Sequence, residues 1–165
     1  MSTSQIPDGT RVSMSGRELV FGETIFTPRD ATGLSEDTEA LHQRIEEDGY
    51  LLLREFHSPD AIHHARKEIL THMAAQDLLA PGMPLDDAIV GPKNRSTRFP
   101  DRLIKQWPHF IDIVDGSHTM EFFGRFLGGP ALSLDHKWLR ATCTGRNASA
   151  HYDVVYMGAG TKNLY

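Results

Sequence analysis

Two potential metal ligands stand two positions apart close to residue 150. His151 and Asp153 flank Tyr152 in the segment HYDVVYM, whose composition predicts a β-strand. Because side chains two positions apart on a strand point to the same face, this imidazole and this carboxylate can reach one cation. With a further histidine they form a facial set of ligands that leaves coordination positions open for substrate and oxygen. The spacing predicts a catalytic metal site; the alternative is a pair of solvated polar side chains on a surface strand.

A second alternating segment precedes this motif. In residues 131–139 the apolar and polar side chains alternate, which predicts a strand with Leu132, Leu134, His136 and Trp138 on one face. A lone histidine on an apolar strand face is typical of a hydrogen-bonded core residue. His136 could approach the metal site, but we expect it to be such a core residue.

Two further groups of charged or reactive residues carry less information. Lys93, Arg95 and Arg98 stand close together in a segment rich in proline. They could contact an anionic substrate, but the pattern favours a solvated basic loop. Cys143 is the only cysteine, which excludes an intrachain disulfide and a thiolate metal cluster. Its neighbours do not indicate the activated thiol of a Cys–His hydrolase.

Composition sets the broad class of the chain. Its 165 residues are 39% hydrophobic and 24% charged, as in an ordinary globular domain. The formal net charge of −5 argues against a general nucleic-acid-binding protein, which would carry a basic surface. The sequence contains no apolar run near the ~20 residues of a membrane span and no secretory signal pattern. We expect a cytoplasmic protein with a small-molecule substrate, and the sequence does not indicate its oligomeric state.

The elements that must position the motif follow from periodicity and capping signals. Ser35 as N-cap and Gly49 at the end predict a helix over residues 35–49, and residues 50–56 predict a strand. Ser58 as N-cap and Pro59 in the first turn predict a second helix that ends near Leu79. Further predicted elements are a strand or hairpin over residues 18–27, a loop over 27–33, short helices over 101–106 and 109–114, and a helix capped by Ser117 with Met120, Phe123 and Leu127 on one face.

Two blocks of the sequence resemble one enzyme family. Residues 41–80 contain DGYLLLREF followed by a helix that SPD opens, and residues 122–165 contain GGP, a strand, a loop and then His-x-Asp. In this order the features resemble the phytanoyl-CoA dioxygenase family of iron(II)- and 2-oxoglutarate-dependent oxygenases. The resemblance covers about half of the chain and is more specific than the triplet alone.

The resemblance implies a fold, two cofactors and four site residues. The expected fold class is α+β or mainly β, with N-terminal helices and the first strands of a double-stranded β-helix, a cupin-like jelly roll. The implied metal ligands for Fe(II) are His151 and Asp153, and the implied contacts of the cosubstrate 2-oxoglutarate are Trp138 and Tyr152. For Trp138, a buried core aromatic is an equally good interpretation. Residues 1–34 would form an N-terminal extension, and residues 35–165 would be part of a single oxygenase domain.

One departure from the family leaves two interpretations open. In relatives the second iron-binding histidine and a basic residue for 2-oxoglutarate follow several tens of residues after His-x-Asp, whereas here the twelve residues after Asp153 include neither His nor Arg. The chain then resembles the N-terminal part of a hydroxylating dioxygenase and would be inactive by itself. The alternative is a truncated, non-catalytic binding or interaction module in which His-x-Asp is vestigial.

Overall fold

The computed structural model describes residues 6–14, 16–91 and 96–142. The described residues divide into a small unit, residues 6–28, and a larger unit, residues 29–142. The domain boundary predicted after residue 34 stays a prediction. No helix in the described part of the chain is long and apolar enough to cross a membrane.

The small unit is built on a β-hairpin. Strands β1 (Arg11–Met14) and β2 (Arg17–Val20) pair in antiparallel register, with Met14 opposite Arg17. Gly16 has a φ of 76°, which suits the tight two-residue connection. The sequence predicts a strand or hairpin over residues 18–27; residues 18–20 lie in β2, and Phe21 and Ile25 form a single parallel bridge.

Two long helices open the larger unit. Helix α1 (Thr38–Asp48) is capped by the Asp37 carboxylate, which accepts a hydrogen bond from the amide of Ala40, and not by Ser35 as predicted. Helix α2 (Pro59–Ala75) begins as predicted, with the Ser58 hydroxyl accepting from the amide of Ala61. It ends four residues before the predicted end near Leu79.

Positive φ angles explain how these helices end. Gly49 ends α1 with a φ of 76°, as the sequence predicts. Asp77 has a φ of 55°, a left-handed conformation that cannot continue α2. Leu79 instead forms an antiparallel bridge with Val90, and the intervening segment contains a 3₁₀ turn, Leu85–Asp87. Another 3₁₀ turn, Thr32–Leu34, lies before α1 and overlaps the end of the predicted loop over residues 27–33.

Three further helices follow strand β3 (Thr97–Phe99): α3 (Asp101–Ile104), α4 (Pro108–Asp115) and α5 (Ser117–Leu127). Pro108 occupies the first turn of α4, where its missing amide hydrogen costs nothing. Helix α5 begins at Ser117, the residue predicted to be its N-cap; the N-cap is instead Gly116, and the Ser117 side chain makes no cap hydrogen bond.

The buried face of α5 also differs from the predicted one. Thr119, Phe122 and Phe126 are buried, whereas Leu127 is exposed. His42 of α1 explains part of this orientation, because its ring packs edge-on against Phe126 and its Nε2 lies 2.7 Å from the Phe126 carbonyl oxygen. Both possible faces of α5 are apolar, so contacts with other elements decide which one is buried.

The last described element, strand β4 (Leu139–Ala141), pairs antiparallel with β3, with Phe99 opposite Leu139 and Thr97 opposite Ala141. On one face of this two-stranded sheet, Phe99 forms a buried cluster with Ile104 and Trp107, and Leu139 and Ala141 of β4 pack against that cluster. Side chains from α2, α3 and α4 surround that cluster: Ile69, Met73, Leu103, Phe110 and Ile111. The helices therefore cover one face of the β3–β4 sheet.

Two predicted strands are wrong. Residues 50–56 form no strand; Leu52 makes a single parallel bridge with Asp30, and Glu55 has a φ of 53°, which a strand cannot accommodate. Residues 131–138 do not form a strand either, because the Lys137 ammonium binds the Ser133 hydroxyl and the Leu134 carbonyl oxygen and folds the segment on itself.

The protein is an α+β structure with two small antiparallel sheets of two strands each. The α+β class predicted from the sequence is confirmed. The described residues show neither a closed barrel nor a jelly roll, so the predicted double-stranded β-helix stays a prediction.

Candidate functional site

Lys137 helps to hold the segment just before β4 in place. Lys137 Nζ lies 2.7 Å from an Asp115 carboxylate oxygen and 2.6 Å from the Leu134 carbonyl oxygen, which both accept its hydrogens. The Lys137 side chain is only 11% exposed, and that of Asp115 is 29% exposed. A partly buried ammonium with several oxygen partners thus ties residues 133–137 to the end of α4.

Asp115 responds to its surroundings in two opposite ways. Burial is the largest single influence and raises the pKa of the Asp115 carboxyl. Hydrogen bonds from Lys137 and Ser133, together with the Lys137 charge, outweigh this effect, and the pKa lies below its ordinary value. Asp115 therefore remains ionised at neutral pH and serves as the anchor for Lys137.

Asp101 provides a second anchor at the start of α3. Its carboxylate accepts a hydrogen bond from the backbone amide of Lys137 at 2.7 Å and lies 3.1 Å from Lys105 Nζ. The amide hydrogen bond, followed by that from Lys105, holds the pKa of Asp101 below its ordinary value. Lys105 also binds Asp135 at 2.9 Å, so both lysines connect the segment before β4 to the helices.

Trp138 is the one predicted site residue that the structure describes. Its side chain is 60% exposed, which excludes the buried core aromatic that was the alternative interpretation. His136 packs edge-on against it, with ring centroids 4.9 Å apart. The prediction that His136 is a core residue is wrong: its side chain is 58% exposed, and its Nδ1 lies 3.9 Å from the Asp101 carboxylate. Without a strand over 131–138, the alternation that placed His136 in the core has no structural basis.

The face of the β3–β4 sheet that the helices leave open carries two arginines. Arg98 and Arg140 are directly opposite each other in the pairing of the two strands, and both are exposed. Their strand neighbours Phe99 and Leu139 point to the helix-covered face. Arg98 belongs to the basic cluster noted in the sequence, whereas Lys93 and Arg95 lie outside the described residues.

The proposed metal ligands His151 and Asp153, and Tyr152 between them, also lie outside the described residues. Within the part of the chain that the structure describes, no group of three or more His, Cys, Asp or Glu side chains is arranged to hold a metal ion. His63 and His64 on α2 are exposed. The chemistry of the metal site therefore rests on the sequence motif.

A pair of histidines was not recognised from the sequence. His57 and His118 lie with their ring centroids 5.7 Å apart, and both contact the ring of Phe56. Burial, followed by the nearby His118, lowers the pKa of His57, while Asp112 raises it by a smaller amount. No local spacing could have indicated this pair, because its members come from a loop and from α5.

An open groove lies at the C-terminal end of α2. Its volume is about 420 Å³, and its lining includes Leu79, Pro81, Met83 and Leu85. Trp138, the one predicted site residue in the described part of the chain, does not line this groove.

Comparison with known proteins found no match among protein-family models, curated proteins or solved structures.

Proposed function

We propose that this chain belongs to an Fe(II)- and 2-oxoglutarate-dependent dioxygenase of the phytanoyl-CoA dioxygenase type that hydroxylates a small molecule. The observation that carries the proposal is the His-x-Asp motif, which begins ten residues after the end of β4. Helices cover one face of the sheet to which β4 belongs and leave the other face open. A double-stranded β-helix has such a sheet, with helices outside and a ligand pocket within.

In this proposal His151 and Asp153 hold Fe(II), since imidazole and carboxylate are the donor types that suit a site with open positions. When bound, iron would activate dioxygen, and 2-oxoglutarate would supply two electrons as it is converted to succinate and carbon dioxide. One oxygen atom of dioxygen would then enter a C–H bond of the substrate, which is chemistry that no protein side chain can provide. Trp138 and Tyr152 contact 2-oxoglutarate. The exposure of the Trp138 ring supports this role, because a contact residue must offer accessible surface to its ligand.

The anchoring of residues 133–137 supports a positioning role for that segment. Lys137 and Lys105 connect this segment to Asp115 and Asp101, so these contacts hold the backbone in place just before β4 begins. A binding residue must be held in place by its surroundings if it is to orient a ligand. Because Trp138 immediately follows Lys137, the same contacts restrict the position of its backbone.

A non-catalytic binding module is the second candidate, and exposed apolar side chains favour it. Leu132 is 95% exposed, and Leu134 is also exposed beside the short β3–β4 sheet. Exposed apolar groups near open strand edges are typical of surfaces that pair with another chain. In this candidate function the exposed apolar surface around Leu132 and Leu134 binds a protein, and His151 and Asp153 bind no metal ion.

Anaerobic titration of the purified chain with Fe(II) and 2-oxoglutarate separates these functions. The oxygenase proposal predicts a weak visible charge-transfer band that Asp153→Ala abolishes. Asp87→Ala, which removes a carboxylate from an exposed 3₁₀ turn, is the matched control and should retain the band. A folded wild type that shows no band would contradict iron binding by His151 and Asp153 in this chain.

A further inference from the structure

Arg98 and Arg140 occupy an unusual position for two like charges. They are directly opposite in the antiparallel pairing of β3 and β4, so their Cβ atoms are neighbours at about 5 Å. Both side chains extend from the face that the helices leave open, because their neighbours Phe99 and Leu139 pack on the covered face. Like charges at directly opposed positions destabilise a strand pair.

Neither of these arginines has a carboxylate partner among the described residues. Most other arginines in the same part of the chain do: Arg29 and Arg44 bind acids of α1, Arg54 binds Asp30, and Arg66 binds Asp86. An unpaired surface arginine is ordinary, but two that face each other retain a repulsion that a bound anion would remove.

Trp138 adds a different chemistry close to this pair. It stands two residues before Arg140, and its exposed indole ring contacts His136 on one side. An exposed indole offers a large apolar surface for stacking. Two guanidinium groups on paired strands, with an accessible aromatic ring two residues from one of them, therefore suit a ligand with an anionic group and an apolar body.

We propose that the open face of the β3–β4 sheet binds a small molecule through its carboxylate or phosphate group. Arg98 and Arg140 donate hydrogen bonds to the anion from both strands, and Trp138 contacts the remainder of the ligand. Guanidinium groups suit this role because their planar donors match the oxygens of carboxylate and phosphate. The proposal assigns no role to iron, so it can hold or fail independently of the oxygenase function.

Metal-free binding measurements test the proposal. The protein is titrated in EDTA with inorganic phosphate, phenyl phosphate, succinate and 2-oxoglutarate, at an ionic strength held constant with sodium chloride. Heteronuclear NMR and tryptophan fluorescence both report binding, since Trp138 is exposed and the other tryptophan, Trp107, is buried. The variants are Arg98→Gln and Arg140→Gln. Arg102→Gln is the matched control, because Arg102 is an exposed arginine on α3 that has no ion pair with a described residue.

The expected result is that at least one of the anions binds and that each sheet variant weakens it roughly tenfold or more, as for loss of a charge-assisted hydrogen bond. Arg102→Gln should leave the affinity unchanged. The melting temperature of the free protein should stay constant or rise in the sheet variants, since each removes a repulsion. This combination distinguishes lost binding from lost folding.

The choice of probe then identifies the anion. Tighter binding of phosphate and phenyl phosphate supports a phosphorylated ligand, and tighter binding of succinate supports a carboxylate. Preferential binding of 2-oxoglutarate assigns the pair to the cosubstrate. A preference for phenyl phosphate over phosphate that Trp138→Ala removes supports the aromatic contact. Absence of saturable binding, or equal weakening by Arg102→Gln, would overturn the proposal.

Discussion

Replacing Lys137 by methionine should destabilise the protein and loosen the segment before β4. Methionine keeps most of the apolar stem but removes the ammonium that Asp115, Ser133 and Leu134 share. Asp115 would then stay 29% exposed without its cation, so its ionised form would lose most of its stabilisation. This substitution therefore tests whether Lys137 holds residues 133–137, which precede Trp138 and β4, in place.

The burial of the pair sets the expected magnitude. Breaking a fully buried ion pair costs about 3–5 kcal/mol, and an exposed pair contributes at most about 1 kcal/mol. With side chains 11% and 29% exposed, Lys137 and Asp115 lie between these limits. We expect the free energy of unfolding to fall by about 2 kcal/mol at neutral pH.

Urea denaturation, followed by circular dichroism, measures this change. The double variant Lys137→Met with Asp115→Asn should recover part of the loss, because it removes the carboxylate left without a cation. Lys105→Met is the matched control; Lys105 also bridges two acids but is more exposed, so its effect should be smaller. A change within about 0.5 kcal/mol for Lys137→Met would refute the reasoning.

The pH dependence of the same variant has a defined sign. The folded-state pKa of Asp115 is depressed, so this group stabilises the fold above its unfolded value and loses that contribution as pH falls through the folded value. The difference between wild type and Lys137→Met should therefore shrink below about pH 4. A difference that persists unchanged in acid would assign the effect to packing and not to the ion pair.

Three further predictions use the helices and the histidine pair. Ser58→Ala should lower the free energy of unfolding by about 1 kcal/mol because it removes the α2 cap, whereas Ser117→Ala should change it little; equal effects in urea denaturation would contradict the assigned caps. Thr119→Val should lower the free energy of unfolding by about 1–2 kcal/mol, since it removes the hydroxyl that donates a hydrogen bond to the Ile113 carbonyl oxygen. An unchanged free energy of unfolding in the same assay would contradict that hydrogen bond. Because the folded-state pKa of His57 is depressed, thermal stability should fall as pH drops below about 6.5, and His57→Gln should reduce this slope; an unchanged slope would exclude His57 as its source.

Local signals in the sequence were sufficient for much of the helical structure. Ser58 and Pro59 begin α2, and Gly49 ends α1, because caps and left-handed glycines act within a few residues of the chain. The buried face of α5 was not predictable in this way. Its choice depends on contacts with residues distant in sequence, such as the packing of His42 on Phe126.

In the candidate site, too, the features that depend on residues distant in sequence were not predictable from local patterns. Alternation predicted a strand over residues 131–139, but Lys137 satisfies oxygens of Ser133 and Leu134 and prevents an extended conformation there. This arrangement depends on Asp115 and Asp101, which periodicity cannot place beside the segment. The opposed arginines of β3 and β4 depend on strand pairing across about forty residues, which no local pattern specifies.

Metal binding by variants of the motif tests the central claim most directly. Anaerobic titration with Co(II), whose visible spectrum reports ligand number and geometry, measures affinity and stoichiometry for the wild type, His151→Ala, Asp153→Ala and, as control, His136→Ala. The account predicts a saturable site that both motif variants lose and that His136→Ala retains. Binding that survives Asp153→Ala and His151→Ala, or a folded wild type that binds no metal, would contradict it.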